Sequence, residues 1–149
     1  VLPITISAIG NSLVDPDIGA AGDVDTAVVT MSYADGKIAV IKNSRRAAYG
    51  YDQRIEILGS EGLLQAENIA ENSVVKSTTA GVLSAKPKFF FLERYMGAFK
   101  AEWDAFVKSI RNHKPVPVTL KDGVAALAMA EAATQSQNTG KSIQLKELL

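Results

Sequence analysis

The segment "DTAVVTMSYADGKIAVIKNS", Asp25 to Ser44, decides the fold class. Two runs rich in Val, Ile and Thr flank the pair Asp35-Gly36, and this spacing is typical of a β-hairpin. So short a link joins antiparallel neighbours, because a parallel pair needs a crossover of about a dozen residues. The segment therefore predicts a sheet that is mainly antiparallel.

Further strand-like runs occur on both sides of this hairpin, between about Leu2 and Val82. They are "ITISAIG", "YDQRIEILG", "GLLQAE" and "SVVKSTT", and Gly59 to Gly62 makes a second tight return between two of them. The exception is Gly10 to Asp23, a long loop rich in Gly, Asp and Pro. Its length indicates either function or an interface.

After Pro87 the periodicity becomes helical. Eight residues recur at steps of three and four and predict one apolar stripe on a helix of about five turns: Leu92, Tyr95, Met96, Phe99, Trp103, Phe106, Val107 and Ile110. A second predicted helix, Lys121 to Asn138, has Thr119 or Leu120 near its start and Gly140 as its C-cap. Its alanines allow close packing on a sheet, and a short strand, "SIQL", follows it.

These elements together predict an α+β fold. We expect a large, mainly antiparallel open sheet with two C-terminal helices covering one face, in a single domain that spans residues 1–149. In the hairpin we expect Ala27, Val29 and Met31 on one side, and Val28 and Tyr33 on the other. Because both sides are partly apolar, the uncovered face is expected to meet another subunit or a further domain. Scattered exposed Val and Thr residues are the alternative.

Composition excludes several classes of function. The 149 residues include 16 basic and 16 acidic side chains, so no long-range field attracts nucleic acid or an anionic membrane, and a small neutral partner fits better. No apolar run approaches the roughly 18 residues that span a bilayer, and "VLPITISAIG" lacks the features of a signal peptide. The absence of cysteine excludes disulfides and thiol catalysis and weakly favours the cytoplasm. The chain begins at Val1 in mid-pattern, which predicts a piece of a longer protein.

The sequence contains no candidate catalytic, metal-binding or cofactor-binding residue. His113 is the only histidine, and it has neither triad partners nor a second metal ligand at useful spacing. The acidic residues from Asp15 to Asp25 lack the glycine and the closing glutamate of a calcium loop. Gly19 to Gly22, "GAAG", is not the nucleotide-binding G-x-G-x-x-G. The sequence therefore predicts no catalytic residue, no metal site and no cofactor site in this chain.

One stretch concentrates side chains that are typical of binding sites: "NSRRAAYGYDQRIEILGSEGLL", Asn43 to Leu64, which carries Arg46, Tyr49 and Tyr51. Phenols at the rim of a sheet can hydrogen-bond hydroxyl groups and present an apolar ring to a sugar-like ring. The alternative is that the tyrosines pack on the helices and the arginines are solvated. Residue chemistry alone divides these two readings evenly.

The rim position depends on how the neighbouring strands pair. If Ile38 to Asn43 pairs with Gln53 to Leu58, the residues between them lie at the edge of the sheet. Tyr49 and Tyr51 then point the same way, provided that the backbone there is extended.

Three stretches resemble the C-terminal half of bacterial inositol 2-dehydrogenases, which belong to the glucose-fructose oxidoreductase family of NAD(P)-dependent enzymes. They are "GNSLVDPDIGAAGDVDTAVV", "NSRRAAYGYDQRIEILGSEGLLQAEN" and the helical region that begins "FFFLERYMGAFKAEWDAFVKSI". The resemblance covers nearly the whole chain. It implies a two-domain enzyme, in which an N-terminal Rossmann domain binds NAD or NADP and a C-terminal domain supplies substrate contacts and oligomer interfaces.

The family's catalytic residues have no counterpart in this sequence. The resemblance implies a lysine in an E-K-P motif and an Asp and His in a D-x-x-x-H motif. Neither Lys86-Pro87 nor Lys114-Pro115 follows a glutamate, and Ser109 stands four residues before His113. We therefore expect that the Rossmann domain is absent from this chain, and that the chain alone neither binds NAD nor oxidises myo-inositol.

The resemblance also assigns roles to the tyrosine-rich stretch. Tyr51 matches a residue that contacts a substrate hydroxyl, and Tyr49 and Arg46 support it. In the intact enzyme the histidine would remove the alcohol's proton while hydride passes to NAD, giving 2-keto-myo-inositol from myo-inositol. The implied partners are a polyol and further copies of the chain, bound through the sheet face. A stand-alone domain that binds a polyol, or that only mediates association, is the alternative.

Overall fold

The computed structural model describes residues 1–147 and confirms the predicted α+β class. The regular elements follow the order β1 (Thr5–Asn11), α1 (Pro16–Ala20), β2 (Thr26–Ser32), β3 (Ile38–Ser44), β4 (Ile55–Gly59), β5 (Gly62–Ala66), β6 (Val75–Thr78), β7 (Gly81–Ser84), α2 (Phe91–Arg111), α3 (Leu120–Thr139) and β8 (Ile143–Gln144), with a 3₁₀ turn at Leu145–Glu147.

The chain divides into two compact units. Unit 1 is Val1–Arg46 together with the chain from Val116 onward, and unit 2 is Ala47–Pro115. That residues 1–149 form a single domain stays a prediction.

Unit 1 contains a four-stranded antiparallel sheet in the order β3-β2-β1-β8. The predicted hairpin is confirmed: β2 pairs with β3, with Met31 opposite Ala39. Gly36 in the connection has a φ of 83°, which glycine adopts without steric cost. The predicted last strand is β8, which pairs with β1 at Ile6 and Ile143.

Helix α3 packs on one face of this sheet. The buried core consists of side chains from the sheet, from α3 and from the 3₁₀ turn: Ile6, Met31, Ala128, Ala132 and Leu145. The two alanines confirm that small side chains let the helix lie close to the strands. Ser136 of α3 is also buried, and its hydroxyl accepts a hydrogen bond of 3.0 Å from the amide of Ala8 in β1. Because α3 lies close to β1, the buried Ser136 hydroxyl has a backbone hydrogen-bond partner.

The predicted C-cap Gly140 is confirmed, and Thr119, one of the two residues predicted near the start of α3, is its N-cap. Asp122 closes a capping box, because its carboxylate accepts from the Thr119 amide and from the Thr119 hydroxyl, each at 2.7 Å. These bonds, the hydroxyl first, lower the pKa of Asp122 below its usual value. At the other end, Gly140 has a φ of 67° and its amide bonds to the carbonyl of Ser136. The helix limits therefore follow from local sequence.

The sheet face opposite α3 carries several exposed apolar residues: Ile9 (80% exposed), Val28 (40%), Ile38 (77%) and Val40 (61%). Tyr33, which the sequence placed on the side of Val28, instead packs against the core with Val29 and Met31. That placement was wrong because residues two apart share a side of a strand, and Tyr33 is two residues beyond Met31.

The long loop after β1 is organised by one buried carboxylate. Asp25 is 2% exposed and accepts from the amides of Leu13 (3.0 Å), Val14 (2.8 Å) and Asp15 (2.8 Å), and from the Thr26 hydroxyl (2.9 Å). Burial raises the pKa of this carboxyl, but the hydrogen bonds outweigh burial and lower it to about 2. The loop then forms the five-residue helix α1, which begins after Asp15.

Unit 2 contains two hairpins and the long helix α2. The predicted return at Gly59–Gly62 is confirmed as the connection of β4 and β5. Strands β6 and β7 form the second hairpin, and β7 is a strand that the sequence did not predict separately. Helix α2 confirms the predicted helix, with 21 residues between Phe91 and Arg111.

Candidate functional site

The structure places the three predicted site residues in different settings. Arg46 is exposed and ends the first segment of unit 1, where its carbonyl accepts a hydrogen bond of 3.2 Å from the Ser44 hydroxyl. Tyr49 and Tyr51 belong to unit 2. The pairing on which the rim position depended is not formed, since β3 pairs with β2 and β4 pairs with β5.

The backbone between the two tyrosines is not extended. Ala47 to Gly50 forms a turn closed by a 3.1 Å hydrogen bond from the Gly50 amide to the Ala47 carbonyl. Gly50 has a φ of 132°, and a Cβ at that position would lie 3.1 Å from the carbonyl oxygens of Pro87 and Lys88. Both the backbone angle and the close approach require glycine.

The backbone of Tyr51 is held on both sides. Its amide donates to the carbonyl of Lys88 at 2.8 Å, and its own carbonyl accepts from Asn68 Nδ2 at 3.0 Å. Asn68 Oδ1 in turn accepts from the amides of Gln53 (3.4 Å) and Ile69 (3.0 Å). One amide side chain therefore links the Tyr51 segment to the segment that follows β5.

The ring of Tyr51 is half-buried against α2. It meets Tyr95 edge to face, with ring centroids 6.0 Å apart and an interplanar angle of 77°. The Tyr95 side chain first, and partial burial second, raise the pKa of the Tyr51 phenol above its usual value. The phenol therefore keeps its proton at neutral pH and remains a hydrogen-bond donor.

Tyr49 belongs to a separate polar network. Its ring is 55% exposed, and its hydroxyl donates a short hydrogen bond to Asp52 Oδ2. The Asp52 carboxylate also accepts from Arg54, from Nε and from Nη2, both at 2.9 Å. The bond to Asp52 is the main cause that raises the pKa of Tyr49. The two phenols thus have different partners, and Tyr49 stabilises the residue that directly follows Tyr51.

Sequence reasoning missed the residues that hold Tyr51. Tyr95 was counted only as part of the apolar stripe of α2, although a phenol on such a stripe signals a hydroxyl that needs a partner when it is buried. Asn68 gave no signal, because its three hydrogen bonds join segments whose proximity the sequence did not reveal.

The Tyr51 phenol has a hydroxyl that can hydrogen-bond to another hydroxyl group, whereas the glycine-rich stretch does not fit a dinucleotide. Gly19 to Gly22 lies at the end of the five-residue helix α1, whereas a dinucleotide phosphate sits where a strand leads into a long helix. Within residues 1–147 no group of three or more His, Asp or Glu side chains is arranged to hold a metal ion. Over the same residues, no helix has both the length and the apolar character needed to cross a membrane.

Comparison with known proteins identifies the family. The family described as "Oxidoreductase family, C-terminal alpha/beta domain" matches residues 3–145. A myo-inositol 2-dehydrogenase of Thermotoga maritima is 43% identical over 144 residues, which cover 97% of this chain and 43% of that protein.

Solved structures agree with this match. A probable dehydrogenase from Thermotoga maritima superposes with a TM-score of 0.95 at 42% identity, covering 99% of this chain and 44% of that one. A scyllo-inositol dehydrogenase from Lactobacillus casei, solved with bound NAD(H) and scyllo-inositol, gives a TM-score of 0.87 at 29% identity, covering 97% and 43%. The chain spans less than half the length of these relatives. It belongs to the oxidoreductase family, within the C-terminal alpha/beta domain that the resemblance predicted.

Proposed function

We propose that this chain is the substrate-binding and subunit-association half of an NAD(P)-dependent dehydrogenase that oxidises myo-inositol to 2-keto-myo-inositol. The observation that carries the proposal is the Tyr51 phenol, which is fixed at its backbone by Lys88 and Asn68 and at its ring by Tyr95. The similarity to a myo-inositol 2-dehydrogenase supplies the substrate class.

The chemistry of the fixed phenol suits a polyol. A neutral tyrosine hydroxyl donates one hydrogen bond and accepts up to two, and its ring offers an apolar face to the C–H groups of a cyclohexane ring. Holding the backbone beforehand lowers the entropy that binding would otherwise cost. A net charge of zero also suits an uncharged substrate. Tyr49, through Asp52, and Arg46 are proposed as supporting residues.

The redox half of the reaction is assigned to the remainder of the longer protein. The described residues lack a turn that fits the cofactor phosphates, so we propose that this chain alone neither binds NAD nor oxidises myo-inositol. Calorimetry with NAD at millimolar concentration tests this part separately. Saturable binding would contradict it.

The substitution Tyr51→Phe in the full-length dehydrogenase tests the assignment of the site. It removes one hydroxyl and keeps the ring, so we expect a loss of about 0.5–1.5 kcal/mol in transition-state binding. This corresponds to a fall of roughly 2- to 13-fold in kcat/KM for myo-inositol, with an unchanged Tm. Steady-state kinetics and thermal unfolding of the same preparation provide both values.

Tyr33→Phe is the matched control, because it removes the same atom from a tyrosine that packs against the core of unit 1. Its kcat/KM should equal that of the parent enzyme. If Tyr51→Phe lowered the Tm and left the kinetics unchanged, Tyr51 would be a scaffold residue and the proposed site would be wrong.

A further inference from the structure

We propose that Tyr95 is a positioning residue for Tyr51. Tyr51 contacts the substrate hydroxyl, and Tyr95 fixes the orientation of the Tyr51 phenol. This inference rests on the proposed function of Tyr51 as a polyol contact. The juxtaposition of the two rings, 6.0 Å apart at an interplanar angle of 77°, is the observation that carries it.

Tyr95 is itself held in place. It lies in the second turn of α2, and its ring stacks on Phe99 one turn later, with centroids 5.9 Å apart and an angle of 27°. The guanidinium carbon of Arg94 lies 5.8 Å from the centroid of the Tyr95 ring, within the range of a cation–π contact. The Tyr95 ring is therefore fixed by the helix, by Phe99 and by Arg94. Tyr51 packs against this fixed ring.

Hydrogen bonds and the ring contact with Tyr95 together restrict the conformation of Tyr51. The hydrogen bonds to Lys88 and from Asn68 fix its backbone, which leaves only the two side-chain torsions to set where the hydroxyl points. Ring contact with Tyr95 restricts those torsions. Preorganisation of this kind improves a binding group without adding a contact to the ligand.

The phenol of Tyr51 has capacity for more than one partner. A tyrosine hydroxyl offers one donor and two acceptor positions, so one interaction with the Tyr95 side chain still leaves two positions for substrate hydroxyls. The raised pKa of Tyr51, caused first by the Tyr95 side chain, is in line with this arrangement.

A double-substitution cycle in the full-length dehydrogenase tests the inference. Tyr95→Phe should lower kcat/KM for myo-inositol by about 2- to 10-fold, because it removes the hydroxyl that raises the pKa of the Tyr51 phenol. Tyr95→Leu, which also removes the ring contact, should lower kcat/KM at least as far. Because Tyr95 acts through Tyr51, the Tyr51→Phe/Tyr95→Phe enzyme should be no slower than Tyr51→Phe alone. Tyr33→Phe serves again as the matched control and should leave kcat/KM unchanged.

A second readout does not depend on activity. In this 149-residue chain, Tyr95→Phe should shift the titration of the Tyr51 phenol, followed by NMR of the tyrosine rings, to lower pH, because the main cause of its raised pKa is removed. Phe99→Leu, which keeps both hydroxyls, should leave that titration closer to the parent value. A residue that only stabilised the fold would lower the Tm and leave the titration in place.

The outcomes separate this inference from the function on which it rests. If Tyr51→Phe has no kinetic effect, the proposed site is wrong and the inference falls with it. If Tyr51→Phe lowers kcat/KM but Tyr95→Phe does not, or if the two effects simply add, the proposed function stands and the role of Tyr95 is overturned. An unchanged Tyr51 titration in the Tyr95→Phe chain would overturn that role as well.

Discussion

At the scale of single residues, the buried acid Asp25 shows that a structural carboxylate can resemble a metal ligand in the sequence. Asp25 appears in an acidic group that invites comparison with calcium loops, yet its carboxylate is used by three backbone amides of the preceding loop and by Thr26. The three amides lie ten to twelve residues away and are main-chain groups. No side-chain pattern could have revealed them.

Asp25→Asn should destabilise the chain, because an amide offers one acceptor oxygen where the carboxylate offers two. We expect the Tm at pH 7 to fall by roughly 5 °C or more. The matched control is Glu61→Gln at the exposed β4–β5 turn, which should change the Tm little.

The pH dependence of the same residue has a definite sign. The folded pKa of Asp25, about 2, lies below its ordinary value of 3.8. Its stabilising contribution is therefore present above pH 3.8 and is lost as the pH falls towards 2. The Tm difference between the parent chain and Asp25→Asn should narrow over that range, and a constant difference would contradict this account.

In the tyrosine-rich stretch, the sequence identified the candidate residues but not their partners. The sequence singled out Tyr49 and Tyr51, and the resemblance gave Tyr51 a role, but the partners of the two phenols, Asp52 and Tyr95, came only from the structure. The Gly50 turn explains why: it replaces the extended backbone that would have aimed both rings the same way.

At the scale of elements, the sequence predicted most of what local chemistry controls. The hairpin turns at Gly36 and Gly59–Gly62, the helix α2 and both caps of α3 follow from residues that neighbour one another in the chain. What escaped was the pairing between strands that are distant in sequence. Strand β7, Gly81–Ser84, was not predicted separately from the strand-like run that precedes it.

Because of the capping box, we expect a threonine-to-alanine substitution to have different effects on stability at two positions of α3. Thr119→Ala removes the cap and should destabilise the chain by about 1 kcal/mol. Thr134→Ala, in the exposed middle of the same helix, should be neutral or slightly stabilising, since alanine is the better helix former. Chemical denaturation of the two variants with a common slope measures both changes, and equal losses would refute the cap's role.

At the scale of the whole molecule, the exposed surface is larger than its mass explains. The chain exposes 11,892 Å², whereas a compact monomer of 15.9 kDa exposes about 7,300 Å² and two separate compact bodies of this total mass about 8,900 Å². The excess of roughly 3,000 Å² is the scale of surface that large permanent interfaces bury. It supports the proposal that the chain works within a larger assembly.

Association through the sheet face opposite α3 is testable on the chain itself. Val28 and Val40 lie on that face, so the parent chain should form oligomers at tens of micromolar and Val28→Lys/Val40→Lys should shift it towards monomer. Val118→Lys, at an exposed loop valine, is the control and should not alter the association. Sedimentation that shows only monomer for the parent chain would contradict the proposal.

Unit 1 is assembled from two separated parts of the chain, and this has a consequence for biosynthesis. Strand β3 ends at Ser44 and α3 begins at Leu120, so a ribosome adding 5–20 residues per second needs roughly 4–15 s to pass from one to the other. During that interval the nascent sheet has neither its covering helix nor its edge strand β8. On the nascent chain, Ile6 and Met31 are therefore exposed to solvent during this interval. A chaperone that binds apolar strands would bind at this stage.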